Sequence, residues 1–339
     1  MMRIHGTLIL LFLSATSLFA QKTPVKPAYL TKGDKVAIIS ASYFSPAEVI
    51  DSSAAVLRLW GYEPVIGPNT DKREAGKYAG KPSERLSDLV WALEGPEIKA
   101  IICSRGGYGT IHLLPYLHKE LFSANPKWIV GYSDVTTLHS IETLSGVMSL
   151  HAVIGDVLSL EGGKDPGSSL MREILSGRIP RYEVPSHHCN IPGSARGILV
   201  GGNLSTIAPL CGSDWDILKE DSFILYIEDV KETYHHLDRL FNTLLLHGMK
   251  RGCKGVILGD FEDCKKDLEH FGVYDMLTGY LRGWDIPVLC GFPAGHGKTN
   301  LPLIMGAPIS LEVREDGATV SFDIDGEVLV VDTSSLSSR

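Results

Sequence analysis

The 339-residue chain has few cysteines and no motif typical of a metal or phosphate site. Its six cysteines form no paired C-x-x-C spacing, and neither G-x-x-x-x-G-K-[ST] nor G-x-G-x-x-G occurs. His187, His188 and Cys189 resemble a metal cluster but have no fourth ligand at zinc spacing. We therefore expect no cofactor, no metal and no obligatory disulfide. The cysteines are even in number, which permits disulfides in an oxidising compartment, and they are Cys103, Cys189, Cys211, Cys253, Cys264 and Cys290.

The sequence also has no long basic run and no interleaving of basic and aromatic residues. Its 32 Lys and Arg against 40 Asp and Glu give a formal net charge of -8. Nucleic acid and anionic membrane surfaces are therefore poor candidates for partners. With 44% hydrophobic and 21% charged residues, a chain of this length can bury two cores of ordinary size.

The first 20 residues form the one long apolar run, Thr7–Ala20, behind a single arginine. This run is too short for a comfortable membrane span and predicts a signal peptide over residues 1–20, cut after Ala20. The mature protein would then be periplasmic with no stable membrane anchor. An uncleaved anchor is the competing interpretation.

The rest of the chain alternates between strand and helix patterns, which predicts an α/β fold of two domains. Residues 28–160 would form an N-terminal domain with a mostly parallel sheet and flanking helices. A Gly-, Ser- and Pro-rich linker over 161–192, with a short helix at Leu170–Leu175, would lead to a C-terminal α/β domain at 193–333 that ends in a β-hairpin. The predicted strands are Lys35–Ala41, Tyr62–Gly67, Ile98–Cys103, Trp128–Tyr132, Gly197–Gly201, Phe223–Glu228, Gly255–Gly259, Pro287–Cys290, Ile309–Val313, Thr319–Phe322 and Val328–Val331. The predicted helices are Ala47–Trp60, Ser83–Leu93, Ile111–Leu117, Tyr234–Leu246 and Asp267–Leu281.

The most informative segment is an apolar strand that runs into Gly131-Tyr132-Ser133-Asp134, with a helical pattern directly behind it. Such a turn lifts a serine hydroxyl clear of the sheet edge, although Ser133 could also simply cap the helix. A serine nucleophile needs an imidazole and a carboxylate. The strand Ser222–Val230 ends in carboxylates, and a loop holds His296 between glycines. The order Ser, acid, His is that of α/β-hydrolases, but the second glycine of G-x-S-x-G is missing, which disfavours an ordinary member of that fold.

Five segments, in this order and with these gaps, resemble the LD-carboxypeptidase family of serine peptidases. This family contains muramoyltetrapeptide carboxypeptidase, with the microcin C self-immunity peptidases as a branch. The five segments are Ser104-Arg105-Gly106-Gly107-Tyr108-Gly109, Gly131-Tyr132-Ser133-Asp134, Val200-Gly201-Gly202-Asn203-Leu204-Ser205, Tyr226-Ile227-Glu228-Asp229-Val230 and Gly295-His296-Gly297.

The resemblance implies a triad assembled across the cleft between the domains. Ser133 would be the nucleophile, His296 the general base and then acid, and Glu228 the carboxylate that fixes the histidine tautomer. Asp229 is the rival carboxylate, but the strand period of two points it to the opposite face. The backbone N–H groups of Gly107 and Asp134 would form the oxyanion hole.

The resemblance also implies a substrate, a murein tetrapeptide whose terminal D-alanine is released by hydrolysis of an L,D bond. Arg105 is a candidate clamp for the substrate carboxylate, with a structural salt bridge as the alternative. Asn203 would line the cleft, or else serve turn chemistry. A homodimer is a further implication of the resemblance.

Two other functions remain open. One is a microcin C-type hydrolase of a peptidyl nucleotide. The other is a periplasmic binding protein without catalysis, which predicts a dispensable Ser133 and a His296 without a carboxylate partner.

Overall fold

The computed structural model of the chain describes residues 23–269 and 272–336. The predicted signal peptide, residues 1–20, lies outside the described residues. Within the described ranges, no helix has the length and apolar character needed to cross a membrane.

The first sheet has six strands in the order β11-β5-β4-β3-β1-β2. Strands β1 to β5 are parallel, which confirms the mostly parallel sheet. The edge strand β11 comes from far along the chain and pairs antiparallel with β5, Leu303 opposite His151. The six strands are β1 (Lys35–Ile39), β2 (Glu63–Ile66), β3 (Ile98–Cys103), β4 (Trp128–Gly131), β5 (Ser149–His151) and β11 (Leu303–Met305).

The second sheet has eight strands in the order β10-β9-β8-β7-β12-β13-β6-β14. Strands β7 to β10 are parallel, while β12 and β13 form the predicted antiparallel hairpin. The last predicted strand, β14, pairs in parallel with β6 instead of extending this hairpin. The strands are β6 (Arg178–Pro185), β7 (Gly193–Asn203), β8 (Phe223–Val230), β9 (Cys253–Glu262), β10 (Val288–Cys290), β12 (Pro308–Val313), β13 (Gly317–Phe322) and β14 (Glu327–Asp332).

The segment 161–192, expected to be a linker, has a structural role of its own. Its predicted short helix is longer than expected, Pro166–Leu175, and β6 follows it as a strand of the second sheet between β13 and β14. Ile179, Tyr182 and Val184 of this strand are buried. Pro180 and Pro185 in this strand concealed its pattern, because proline is usually a sign of a turn.

The predicted helices are present, two of them with a different form or start, and the short helices α3, α5 and α7 were not predicted. The segment predicted as a helix at Ile111–Leu117 is a 3₁₀ helix over Thr110–Tyr116 that contains Pro115, a residue unsuited to a regular α-helix. The helix predicted from Asp267 begins only at Val273. The helices are α1 (Ala47–Leu59), α2 (Pro82–Glu94), α3 (Lys119–Ser123), α4 (Thr136–Leu144), α5 (Gly155–Glu161), α6 (Pro166–Leu175), α7 (Leu204–Ile207), α8 (Tyr234–Leu246) and α9 (Val273–Leu281).

The two sheets share one of their hydrophobic cores. A single cluster of buried side chains contains Val36 and Val130 of the first sheet together with Tyr182 and Ile309 of the second. A continuous apolar cluster of this kind holds two layers in a fixed relation. The two sheets also meet at the carboxyl end of β5, where the ring of His151 lies 5.0 Å from that of Tyr226 in β8, and ligands of such sheets usually bind at the carboxyl ends of their strands.

Candidate active site

Ser133 stands at a strained turn directly after β4. Its φ is +63°, a left-handed conformation that is uncommon for residues other than glycine. A short 3₁₀ turn over Ser133–Val135 then leads into α4, whose first residue has no side-chain cap. The interpretation of Ser133 as a helix cap is therefore wrong. No hydrogen bond ties its Oγ to another described residue, so the hydroxyl is available to a ligand.

The glycine loop after β3 lies against this serine. A methyl group on Gly106 would come within 2.9 Å of Ser133 Cβ and 3.1 Å of its Oγ, so this close approach requires a glycine. Gly107 has a φ of +114°, and a methyl group there would lie 2.3 Å from the ring of Tyr43. Sequence reasoning selected Gly107 and missed Gly106, although both belong to the same glycine-rich motif.

Asp134 connects the serine turn to the glycine loop. Its buried Oδ2 accepts hydrogen bonds from Ser42 Oγ (2.6 Å) and from the backbone N–H of Thr110 (2.8 Å). The backbone N–H groups of Asp134 and Gly107 donate to no other described residue. Two free N–H donors on segments fixed to each other are what an oxyanion hole requires.

Glu228 and His296 form a buried pair at the carboxyl end of the second sheet. Glu228 Oε2 lies 2.7 Å from His296 Nδ1, and the Glu228 side chain is fully buried while that of His296 is 17% exposed. Asp229 faces the other side of β8, where it accepts hydrogen bonds from Asn203 Nδ2 (3.1 Å) and Ser205 Oγ (2.6 Å). The geometry therefore gives His296 the carboxylate of Glu228.

The loop that carries His296 needs the glycine before it. Gly295 has a φ of +126°, and a methyl group there would lie 2.8 Å from Glu228 Oε2. On its other side His296 contacts the ring of Tyr132, the residue before Ser133, with ring centroids 4.8 Å apart. Burial, together with the charges of Glu228 and Asp156, raises the pKa of Tyr132 to about 12, so its hydroxyl stays neutral.

The surrounding carboxylates control the charge of His296. Burial lowers the pKa of His296, but the charge and hydrogen bond of Glu228 outweigh this, and the pKa is raised above its ordinary value. Asp260 adds to the same effect. Its own pKa is raised to about 7 by burial and by the charges of Glu228 and Glu262.

Asp260 is a site residue that sequence reasoning missed. It stands at the carboxyl end of β9, the position that Glu228 occupies on the neighbouring β8, and this signal could have identified it. It lines a cavity of about 200 Å³ together with His187, Tyr274 and Lys298.

The two predicted substrate-binding residues both have partners within the chain. Arg105 Nε lies 3.3 Å from Asp156 Oδ2, which is the structural salt bridge considered as its alternative role. Asn203 caps α7, with its Oδ1 accepting the backbone N–H of Thr206 at 3.2 Å. Their roles in substrate binding stay predictions.

The possible metal cluster is compact but poorly suited to a metal. The donor atoms of His187, His188 and Cys189 lie within 4.8 Å of one another. However, His187 Nδ1 accepts a hydrogen bond from the Cys189 backbone N–H (3.1 Å), and burial raises the pKa of the Cys189 thiol. A metal needs the thiolate, so this environment opposes binding. All six cysteines are free thiols in the structure.

Comparison with known proteins shows which family this chain belongs to. A family model described as the LD-carboxypeptidase N-terminal domain matches residues 36–152, and one described as the C-terminal domain matches 196–311. The chain belongs to the LD-carboxypeptidase family. The murein tetrapeptide carboxypeptidase of Pseudomonas aeruginosa is 29% identical over 288 residues, which cover 82% of this chain and 93% of that protein.

Two further similarities extend the comparison. The microcin C7 self-immunity protein of Escherichia coli is 29% identical over 346 residues, which cover 89% of this chain and 97% of that protein. The crystal structure of muramoyltetrapeptide carboxypeptidase from Oxalobacter formigenes has the same fold, with a TM-score of 0.78 and 24% identity over 86% of this chain and 99% of that one. The alignment with the Escherichia coli protein is longer than this 339-residue chain, so that protein has segments without a counterpart here.

Proposed function

We propose that this member of the family is a serine-type L,D-carboxypeptidase that releases D-alanine from murein tetrapeptides. The observation that carries the proposal is the buried Glu228–His296 pair, 2.7 Å apart, whose imidazole contacts the ring of Tyr132, the residue directly before the strained Ser133. A positive φ at an unpartnered serine costs folding energy, which functional sites tolerate. The name of the Pseudomonas aeruginosa relative supports the choice of substrate.

The proposed mechanism assigns one task to each group. Ser133 Oγ attacks the carbonyl carbon of the L-centre while its proton passes to His296 Nε2. Glu228 accepts the Nδ1–H hydrogen bond and so leaves the Nε2 lone pair free to act as base. The N–H groups of Gly107 and Asp134 stabilise the negative oxygen. His296 then protonates the departing amine of D-alanine, and water hydrolyses the acyl–serine ester by the same route.

The structure bears differently on the two alternatives. A binding protein without catalysis predicts a His296 that lacks a carboxylate partner, whereas Glu228 Oε2 is within hydrogen-bond distance. A peptidyl-nucleotide hydrolase would use the same three residues, so the choice between the two enzymes depends on the substrate.

The deciding experiment measures D-alanine release from a purified murein tetrapeptide by the chain from residue 21 onward. We expect release by the parent and by a Ser145→Ala control, since Ser145 Oγ only bonds the Ile141 carbonyl at the end of α4. We expect none above background with Ser133→Ala. Release by Ser133→Ala would refute the nucleophile. If the folded parent releases none, the substrate assignment is wrong, and a peptidyl nucleotide is the next substrate to test.

We further propose a periplasmic location, which is supported by the apolar run Thr7–Ala20. A fusion of residues 1–30 to a reporter that is active only after export should become active. A reporter that stays in the cytosol would contradict this location without affecting the chemistry.

A further inference from the structure

The loop that carries His296 is held from inside by one side chain, Asn300. Asn300 Oδ1 accepts hydrogen bonds from the backbone N–H of Gly295 (3.0 Å) and from His151 Nε2 (3.2 Å). The Leu301 N–H donates to the Pro293 carbonyl at 2.9 Å and closes the ends of the same loop. The residue directly before the proposed base is thus fixed by a buried amide.

His151 belongs to the other sheet. It ends β5, lies opposite Gly131 of β4, and packs against the ring of Tyr132 with centroids 6.0 Å apart. Its ring also meets Tyr226 of the second sheet edge to face, at 5.0 Å. His151 therefore connects the strand that leads to Ser133 with the loop that carries His296.

The hydrogen-bond partners determine the tautomer of His151. Because Asn300 Oδ1 already accepts the Gly295 N–H, it can only accept from His151 as well, so the proton of His151 must be on Nε2. Burial holds the pKa of His151 well below its usual range, so the ring is neutral. Its Nδ1 then carries a lone pair that has no hydrogen-bond partner among the described residues.

This arrangement is unfavourable for stability alone. His151 Nδ1 and Asn300 Nδ2 are both buried with no hydrogen-bond partner in the part of the chain that the structure describes, and each such group costs folding free energy that an apolar side chain would not. Apart from a 3.4 Å contact between His151 Nε2 and the Tyr226 hydroxyl, the side-chain hydrogen bonds of these two residues lead to the loop before His296. Their geometry thus serves the position of that loop better than it serves the core.

We propose that His151 and Asn300 are positioning residues that link the first sheet to the backbone of Gly295 and so fix His296 relative to Ser133. The inference rests on the proposed function, because it assigns His296 the role of base. Neither residue needs to touch the substrate.

The test compares three variants of the full mature chain by kcat, KM and the proton NMR signal of the His296 Nδ1–H. His151→Phe keeps the ring and removes the N–H, whereas His151→Gln retains an N–H donor near the position of Nε2. Tyr182→Phe is the control, since it removes a buried hydroxyl that bonds the Pro302 carbonyl just beyond Asn300. It loosens the same segment without touching Gly295.

We expect His151→Phe to lower kcat by roughly 10- to 100-fold with KM within about twofold, since small misplacements of catalytic groups have effects of this size. His151→Gln should recover most of this loss, and Tyr182→Phe should lose little. The deshielded Nδ1–H signal should move or broaden in the Phe variant only.

The inference is overturned if His151→Phe keeps parental kcat and an unchanged signal, or if Tyr182→Phe loses as much activity. If His151→Phe does not fold, Asn300→Ser replaces it with the same expectations. The NMR signal does not depend on substrate. A signal that changes as expected in a chain that releases no D-alanine would therefore refute the proposed function and still support the positioning role.

Discussion

At the scale of single residues, the proposed chemistry depends on the buried carboxylate of Glu228. One of its oxygens bonds His296, and the other, Oε1, has no hydrogen-bond partner among the described residues. A buried charge with so little compensation is unfavourable in the resting protein. It becomes favourable when His296 takes up a proton, because a cation then forms beside it.

This arrangement predicts the effect of Glu228→Gln. The glutamine keeps the shape of the side chain but no longer compensates the imidazolium, and it can hold His296 in the wrong tautomer. We expect kcat to fall by about 10³- to 10⁴-fold, the size of effect known for such substitutions in catalytic triads. Steady-state kinetics on the tetrapeptide measure this, with circular dichroism as the check on folding. A loss of less than tenfold would contradict the role of Glu228.

The carboxylate of Asp260, on the strand next to that of Glu228, predicts how the activity depends on pH. His296 must be neutral to accept a proton, so activity is lost as the pH falls through its raised pKa. Asp260→Asn removes one of the charges that raise this pKa. The acid limb of kcat/KM should therefore move to lower pH.

The pH profile needs a control at the same end of β9. Asp263→Asn changes an exposed carboxylate there. The acid limb of its kcat/KM profile should match that of the parent. Asp260 itself has a pKa of about 7, so the parental limb should be broader than a single titration and that of Asp260→Asn sharper. An unshifted limb in Asp260→Asn would show that this charge does not reach His296.

At the scale of elements, the site depends on how closely the loop after β3 approaches the turn after β4. Gly106→Ala places a methyl group 2.9 Å from Ser133 Cβ and must displace one of the two segments. We expect kcat to fall about 10²-fold or more, since the nucleophile and the N–H of Gly107 lose their alignment. KM should change less.

Gly279→Ala in α9 is the matched control, because nothing lies within 4 Å of its added methyl group. This variant should keep full activity and should be slightly more stable, since alanine favours a helix. Equal activity in the two glycine variants would mean that the loop can move aside without consequence.

Sequence patterns predicted the elements that have strong periodicity and failed for those defined by distant partners. Helix α1 has an amphipathic pattern that shows where it begins and ends. By contrast, β11 has three residues, and only its pairing with β5 makes it a strand. Strand β6 likewise depends on β13 and β14, because its prolines conceal its period.

The same distinction holds within the site. Ser133, Glu228 and His296 stand in motifs that could be read directly. Gly106 and Asn300 act through contacts across the fold, and no single-sequence pattern shows that Asn300 accepts a hydrogen bond from His151, 149 positions earlier.

At the scale of the whole molecule, the two family domains are not independent structures. The first sheet takes its edge strand β11 from Leu303–Met305, beyond the N-terminal match, and both sheets contribute to one buried cluster. An isolated fragment of residues 23–152 would expose the edge of β5 and a large apolar surface.

We therefore expect the fragment 23–152 to be insoluble or unfolded when produced alone, and the full mature chain to be folded under the same conditions. Dispersion of the amide signals in a proton–nitrogen NMR spectrum distinguishes the two states. Co-production with residues 153–339 should restore solubility, since that piece supplies β11. A well-dispersed spectrum from the lone fragment would refute the dependence.

The position of β11 near the end of the sequence also determines when the first sheet can be completed during translation. Leu303–Met305 emerges from the ribosome after His296 and after more than 150 residues that follow the strand it completes. Until then the turn that carries Ser133 stands on an incomplete sheet. The proposed site is thus completed only near the end of translation, so a prematurely terminated chain lacks it.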